Sequence, residues 1–180
     1  MLKNTLLLNL LVFIFCVGII TVPAQEKNTI KITNTLIQPP YLKAGDTVAI
    51  VAPSGILKNR NREVEQAKTL LKSWGLHVVV GEHVFSKDNH FAGTDDERCE
   101  DFQKALDNPK IKAIWSARGG YGTVRILDKL DYTQFKKQPK WIIGYSDITA
   151  LHNQLHTKGV ESIHALMCVS LTEDLEEIKE

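Results

Sequence analysis

The sequence has almost no net charge and no visible internal repeat. In 180 residues, 22 Lys and Arg are offset by 21 Asp and Glu, so electrostatic steering of a partner is not expected. The basic residues form no stripe and are not interleaved with aromatic ones, so nucleic acid is not a predicted partner. No low-complexity tract is visible, and the 43% of hydrophobic and 24% of charged residues are ordinary for a soluble globular domain.

The N-terminal segment differs from the rest of the chain. Lys3 precedes a mostly apolar run over residues 6–22, which ends in Val-Pro-Ala24. A basic start, an apolar stretch and a small residue at the junction predict a secretory signal peptide over residues 1–24. We therefore expect an exported protein, in the periplasm or cell envelope, with no stable membrane insertion after cleavage. An uncleaved membrane anchor is the alternative, because the run is close to the length that spans a bilayer.

Cysteine is scarce, with three residues in the whole chain. Only Cys99 and Cys168 lie beyond the N-terminal apolar run. In an exported protein they could form one disulfide. Two buried free thiols are the alternative, because the sequence does not show whether the two residues are close enough to be joined.

Beyond a polar spacer at residues 25–40, apolar runs of strand length alternate with segments of helical spacing. The predicted strands are 47–52, 76–80, 111–115 and 141–143, and the predicted helices are 61–74, 95–106, 121–130 and 147–157. This alternation favours an α/β domain with a largely parallel sheet flanked by helices.

Three glycine-containing turns follow predicted strands, at residues 53–55, 116–122 and 144–147. Ligands of parallel sheets bind beyond the carboxyl ends of the strands, so we expect these turns to face one crevice. Ser146 lies where a strand bends into a helix, which exposes its side chain beside free N–H groups and makes it a candidate nucleophile. The pattern is only half of Gly-x-Ser-x-Gly, because residue 148 is Ile. A serine that caps the helix is the alternative.

The second of these turns, residues 116–122, contains three glycines. Glycines let a backbone approach a ligand closely and direct N–H groups at an anion. A dinucleotide fingerprint is disfavoured because Arg125 stands where its third glycine would be, and no P-loop lysine follows. A plain tight turn remains an alternative.

Four ordered segments, at residues 41–55, 92–98, 117–122 and 143–149, resemble the LD-carboxypeptidase family. These serine peptidases remove the terminal D-alanine from murein tetrapeptides. The resemblance implies a Rossmann or flavodoxin-like N-terminal domain over residues 41–170. In the family, a second, C-terminal domain carries the Glu and His of a Ser-His-Glu triad. We expect residues 171–180 to be the start of a truncated continuation, so that the present chain lacks the C-terminal domain. Without the Glu and His, the chain should be inactive or nearly so by itself.

The resemblance assigns roles to particular residues. Ser146 would be the nucleophile, and the backbone N–H of Asp147, with one from the Gly119-Gly120 pair, would form the oxyanion hole. The Asp147 carboxylate is expected to cap the following helix, because it is too close to Ser146 to orient a base. Three further side chains are candidates for substrate binding: Arg118, Tyr121 and Ser54. A structural ion pair is the alternative for the arginine.

His152 and His156 are spaced i, i+4 on the predicted helix after Ser146. A substitute base or a zinc pair is conceivable from that spacing, but the glutamate of the metalloprotease motif is missing between them. We interpret both as helix-face histidines and expect no metal and no cofactor.

Three functional hypotheses follow. The leading one is an exported serine carboxypeptidase that cleaves the L,D bond of murein tetrapeptides. The second is an immunity-type peptidase acting on a peptide-nucleotide antibiotic, which the signal peptide disfavours. The third is a non-catalytic module that binds peptidoglycan peptides. A homodimer of the full-length form is a further hypothesis.

Overall fold

The computed structural model describes residues 35–171. The predicted signal peptide, most of the predicted spacer and the predicted continuation beyond residue 171 lie outside them. The described strands are β1 (Thr47–Val51), β2 (His77–Val80), β3 (Ile111–Ser116), β4 (Trp141–Gly144) and β5 (Ile163–His164). The α-helices are α1 (Asn61–Ser73), α2 (Asp95–Asp107), α3 (Thr133–Lys137) and α4 (Thr149–Thr157). Single 3-10 turns cover Thr123–Arg125, Leu127–Lys129, Ser146–Ile148 and Cys168–Ser170.

The five strands form one sheet in the order β2-β1-β3-β4-β5, and every neighbouring pair is parallel. This is the flavodoxin-like strand order, and the predicted α/β fold with a parallel sheet is confirmed. The chain moves outward in one direction from β1 to β2 and in the other direction from β3 to β5. The carboxyl ends of β1 and β3 therefore flank the switch point, where such folds bind ligands.

Alternate residues of β1 face two different hydrophobic clusters, as the two-residue period of a strand requires. Val48 and Ile50 belong to the cluster that contains Val64, Ala67 and Leu71 of α1. Ala49 and Val51 belong to the other cluster, with Phe102, Ala105 and Leu106 of α2. Helices thus cover both faces of the sheet, which explains why β1 reads as a continuous apolar run.

The helix predicted over residues 121–130 is wrong. Two 3-10 turns occupy the segment. Gly120 and Gly122 have φ values of +126° and +132°, which no α-helix contains. The short helix α3 and the two-residue strand β5 were not predicted. Helix α4 begins at Thr149 because residues 146–148 form a 3-10 turn.

Cys99 and Cys168 are both free thiols. Burial raises the pKa of each thiol, which keeps both in the neutral form at ordinary pH. The structure therefore selects free thiols over a disulfide for these residues, although only Cys168 is fully buried and Cys99 is half-buried. Within residues 35–171, no helix has the length and apolar character needed to cross a bilayer.

Candidate active site

The three glycine-containing turns meet at the carboxyl ends of β1, β3 and β4. The Gly55 amide donates to the Gly119 carbonyl over 3.1 Å, which joins the first turn to the second. A Cβ atom placed on Gly119 would lie 3.2 Å from Cβ and 3.4 Å from Oγ of Ser146, so the second turn packs against the third. Residues that are far apart in the sequence are thereby brought to one edge of the sheet.

Ser146 is exposed and has a left-handed backbone conformation, with φ at +59°. A non-glycine residue in this region carries a strain of about 1–3 kcal/mol, and such strain is concentrated at functional sites. Tyr145 before it is fully extended, and the 3-10 turn Ser146–Ile148 leads directly into α4. A sharp strand-to-helix bend with an exposed serine at its apex is the geometry of a nucleophile elbow.

The glycine pair beside Ser146 leaves no room for side chains. Gly119 is buried against the serine and against Cε of Met167, which lies 3.3 Å from the site of a Cβ atom. Gly120 combines its positive φ with a distance of 3.2 Å from a Cβ position to Cα of Gly55. The backbone of this turn can therefore come closer to Ser146 than any turn with larger residues.

The Asp147 carboxylate does not cap the helix that follows it, contrary to the sequence-based expectation. Its Oδ2 accepts the Thr123 backbone N–H over 2.9 Å and the hydroxyl of Ser54. The tertiary fold supplies these two donors, and they replace the helix N–H groups that a local cap would have used. The carboxylate thus connects the third turn to the first turn and to the residue that directly follows the second.

Ser54 is fully buried, and its hydroxyl also lies 2.8 Å from Oγ1 of the equally buried Thr123. Both of its partners are groups of the protein. The geometry therefore gives no support to the predicted contact between Ser54 and substrate, and it places the residue in the framework beneath the turns.

Arg98 is a second buried connection between the turns, with 1% of its surface exposed. Its guanidinium donates to the carbonyls of Pro53 over 2.6 Å, Gly122 over 2.9 Å and Gly93 over 3.3 Å, and it pairs with Asp95. Burial lowers the pKa of Arg98, although a guanidinium stays protonated in proteins. Arg98 ends one of the four segments that carry the family resemblance, residues 92–98, but the sequence alone assigned it no role.

The other two candidates for substrate binding differ in exposure. Arg118 is partly buried, and its guanidinium donates to the backbone carbonyl of Ile56, which directly follows the first turn. Tyr121 is 52% exposed, and its ring centroid lies 6.3 Å from that of His90 and 6.0 Å from that of Phe91. Tyr121 is therefore accessible at the rim of the site.

His152 does not serve Ser146 in this structure. Its Nε2 lies 2.9 Å from the Gly144 carbonyl and its Nδ1 lies 2.8 Å from the hydroxyl of Ser162, so both ring nitrogens are engaged. Burial lowers the pKa of His152, whereas His156 is exposed. Over residues 35–171, no cluster of three or more His, Cys, Asp or Glu residues is arranged to hold a metal ion.

Residues 48–165 match the sequence profile of the LD-carboxypeptidase N-terminal domain. The chain belongs to this family, and the predicted resemblance is confirmed.

Named relatives fall into two groups. The murein tetrapeptide carboxypeptidase of Pseudomonas aeruginosa is 34% identical over 69% of this chain and 40% of its own length. The microcin C7 self-immunity protein MccF of Escherichia coli is 34% identical over 65% of this chain and 34% of its own. The crystal structure of an MccF-like protein from Bacillus anthracis has a TM-score of 0.69 at 32% identity, over 74% of this chain and 41% of that one. The chain spans less than half the length of each.

Proposed function

We propose that the protein is a serine carboxypeptidase that removes the terminal D-alanine from murein tetrapeptides, with Ser146 as nucleophile. The observation that carries the proposal is the exposed Ser146 at φ +59° in direct contact with Gly119. The relative named murein tetrapeptide carboxypeptidase supports the choice of substrate.

In this mechanism, Oγ of Ser146 attacks the carbonyl carbon of the L,D peptide bond. The backbone N–H of Asp147 and one N–H of the Gly119-Gly120 pair stabilise the oxyanion, and each such donor typically lowers the barrier by about 2.7–4 kcal/mol. The serine proton passes through a general base to the amine of D-alanine, which leaves. Water then hydrolyses the acyl-serine ester and frees the tripeptide.

The general base comes from residues outside 35–171 in this proposal. His152 is tied to Gly144 and Ser162, and Asp147 is tied to Ser54 and Thr123. Both groups are therefore engaged with other partners, and an unassisted hydroxyl is a weak nucleophile. The described domain would therefore contribute the nucleophile and the oxyanion donors but not the proton acceptor.

Export to the cell envelope is part of the same proposal, since murein is found there. The support is the sequence of residues 1–24, with Lys3 before an apolar run and Ala24 at the junction. Sequencing the N-terminus of the protein purified from cells tests this point. We expect the mature chain to begin at Gln25; an intact Met1 in the membrane fraction would indicate an anchor instead.

The enzymatic proposal is tested with the complete protein and a purified murein tetrapeptide, by measuring released D-alanine. Ser146→Ala should reduce the rate at least 1000-fold and abolish labelling by a fluorophosphonate. Ser73→Ala is the matched control, because Ser73 is exposed at the end of α1, away from the three turns, and should leave both readouts unchanged.

Other outcomes would favour the other hypotheses. Cleavage of an aminoacyl sulfamoyl nucleoside in preference to the tetrapeptide would favour the immunity-type activity, which the likeness to the E. coli self-immunity protein supports. Binding of the tetrapeptide without labelling or D-alanine release would favour a non-catalytic module.

A further inference from the structure

We infer that the Asp147 side chain is a positioning residue: its carboxylate fastens the nucleophile turn to the glycine turn and so sets the distance between Ser146 and the oxyanion donors. The inference rests on the proposed role of Ser146 and concerns a different atom group from the Asp147 backbone N–H. It assigns a function to a cluster formed by the half-buried Asp147 and the fully buried Ser54 and Thr123.

The connectivity of this cluster is the first argument. Asp147 directly follows the strained Ser146, and its Oδ2 accepts the amide of Thr123 over 2.9 Å. Thr123 in turn directly follows Gly122, the last glycine of the turn that contains Gly119. A single carboxylate oxygen therefore links a residue adjacent to the nucleophile with a residue adjacent to the glycine turn.

Burial is the second argument. Ser54 and Thr123 are both 0% exposed, and their hydroxyl oxygens are 2.8 Å apart. A hydroxyl that is removed from water must keep its hydrogen bonds, since an unsatisfied buried group is costly. The position of Asp147 is thus fixed by groups that cannot turn to solvent, which is the condition under which backbone strain at a neighbouring residue persists.

The chemistry of the acceptor is the third argument. An ionised carboxylate only accepts hydrogen bonds, so one oxygen can receive both the amide and the hydroxyl without a competing donor. Hydrogen bonds to an ionised group are roughly twice as strong as neutral ones. An asparagine amide could accept the same two donors but without the charge, and alanine would accept neither.

The test compares Asp147→Ala, Asp147→Asn and Ser54→Ala in the complete protein, using the rate constant for fluorophosphonate labelling of Ser146 and the kcat and KM for tetrapeptide. All three variants retain the backbone N–H of residue 147. A displacement of about 1 Å at a reacting group can reduce a rate about 100-fold. We expect losses in kcat of about 100-fold for Asp147→Ala and about tenfold for the other two, with KM within twofold of the original.

Asp131→Asn is the matched control. The Asp131 carboxylate also accepts a backbone N–H and a hydroxyl, both from Thr133 over 2.8 and 2.6 Å, while the backbone N–H and carbonyl of Asp131 are bonded to the side chain of Gln103 of α2. This variant should lose the same negative charge from an acceptor of the same two kinds of donor, and it should leave the labelling rate unchanged. Equal losses in the two asparagine variants would show a general effect on stability and would overturn the inference.

A second readout does not depend on catalysis. Amide hydrogen exchange of the peptide covering residues 119–125 should be at least tenfold faster in Asp147→Asn than in the original protein, and unchanged in Asp131→Asn. Unchanged exchange, or full labelling in folded Asp147→Ala, would refute the positioning role. If the original protein is not labelled at all, the proposed function fails, while the exchange measurement still decides whether the carboxylate holds the two turns together.

Discussion

Replacement of Arg98 by methionine should destabilise the domain far more than replacement of any exposed arginine. Methionine keeps most of the length of the side chain but cannot donate hydrogen bonds. The change removes the hydrogen bonds that the carbonyls of Pro53 and Gly122 accept from Arg98 over 2.6 and 2.9 Å. Since Arg98 is only 1% exposed, water cannot readily replace them.

The expected magnitude follows from those two contacts. Hydrogen bonds to a charged group contribute about 1.5–3 kcal/mol each, so the loss of two amounts to roughly 3–6 kcal/mol. Domains are stable by only about 5–15 kcal/mol in total. At about 2–4 °C per kcal/mol, the melting temperature should fall by roughly 6–24 °C.

Urea denaturation followed by circular dichroism measures this loss. Arg125→Met is the control, because Arg125 pairs with the same carboxylate, Asp95, but has 46% of its side chain exposed. Exposed ion pairs contribute about 1 kcal/mol or less, so the control should lose no more than that. A loss below 1 kcal/mol for Arg98→Met, or equal losses for the two variants, would refute the reasoning.

Three further predictions concern single side chains. Burial lowers the pKa of His152 in the folded protein. As the pH falls below about 6.5, this imidazole is therefore protonated in the unfolded state before it is protonated in the folded state, and the free energy of unfolding should decrease. In urea titrations between pH 7 and 5, His152→Gln should weaken this dependence of stability on pH, and replacement of the exposed His156 by Gln should not. The buried Oη of Tyr132 has no hydrogen-bond partner in the described part of the chain, so Tyr132→Phe should raise the free energy of unfolding by about 1 kcal/mol, and a loss of that size would contradict the burial argument. Gly119→Ala should slow labelling of Ser146 about tenfold and lower the free energy of unfolding by about 1–3 kcal/mol, since the new methyl group would crowd both the serine and Met167; an unchanged labelling rate would speak against close contact of the two turns.

Sequence periodicity predicted the fold well where elements are long or strongly apolar. The predicted strand at residues 111–115 and the helix at residues 95–106 correspond closely to β3 and α2. The predicted helix over residues 121–130 does not form, because its start lies at Gly120 and Gly122, whose positive φ values the apolar spacing does not reveal. Strand β5 has only two residues and gives no pattern that could be detected.

The local part of the site was equally accessible from sequence. The position of Ser146 at a strand-to-helix bend follows from an apolar run that ends in Gly-Tyr-Ser-Asp. The partners of Asp147 could not be predicted, because Ser54 and Thr123 come from distant segments. For Arg98 a signal did exist: it shares a helix face with Phe102 and Ala105, at i+4 and i+7, and an arginine on an apolar face requires buried acceptors.

The three turns also constrain the order of events during synthesis. Ser54 is separated from its carboxylate partner Asp147 by 93 positions, so its hydroxyl has no permanent acceptor while the intervening chain is still on the ribosome. Contacts of such long range are late and slow to form. In a nascent polypeptide the turn that carries Ser146 would therefore stay unfastened to the first turn until nearly the whole sheet has been completed.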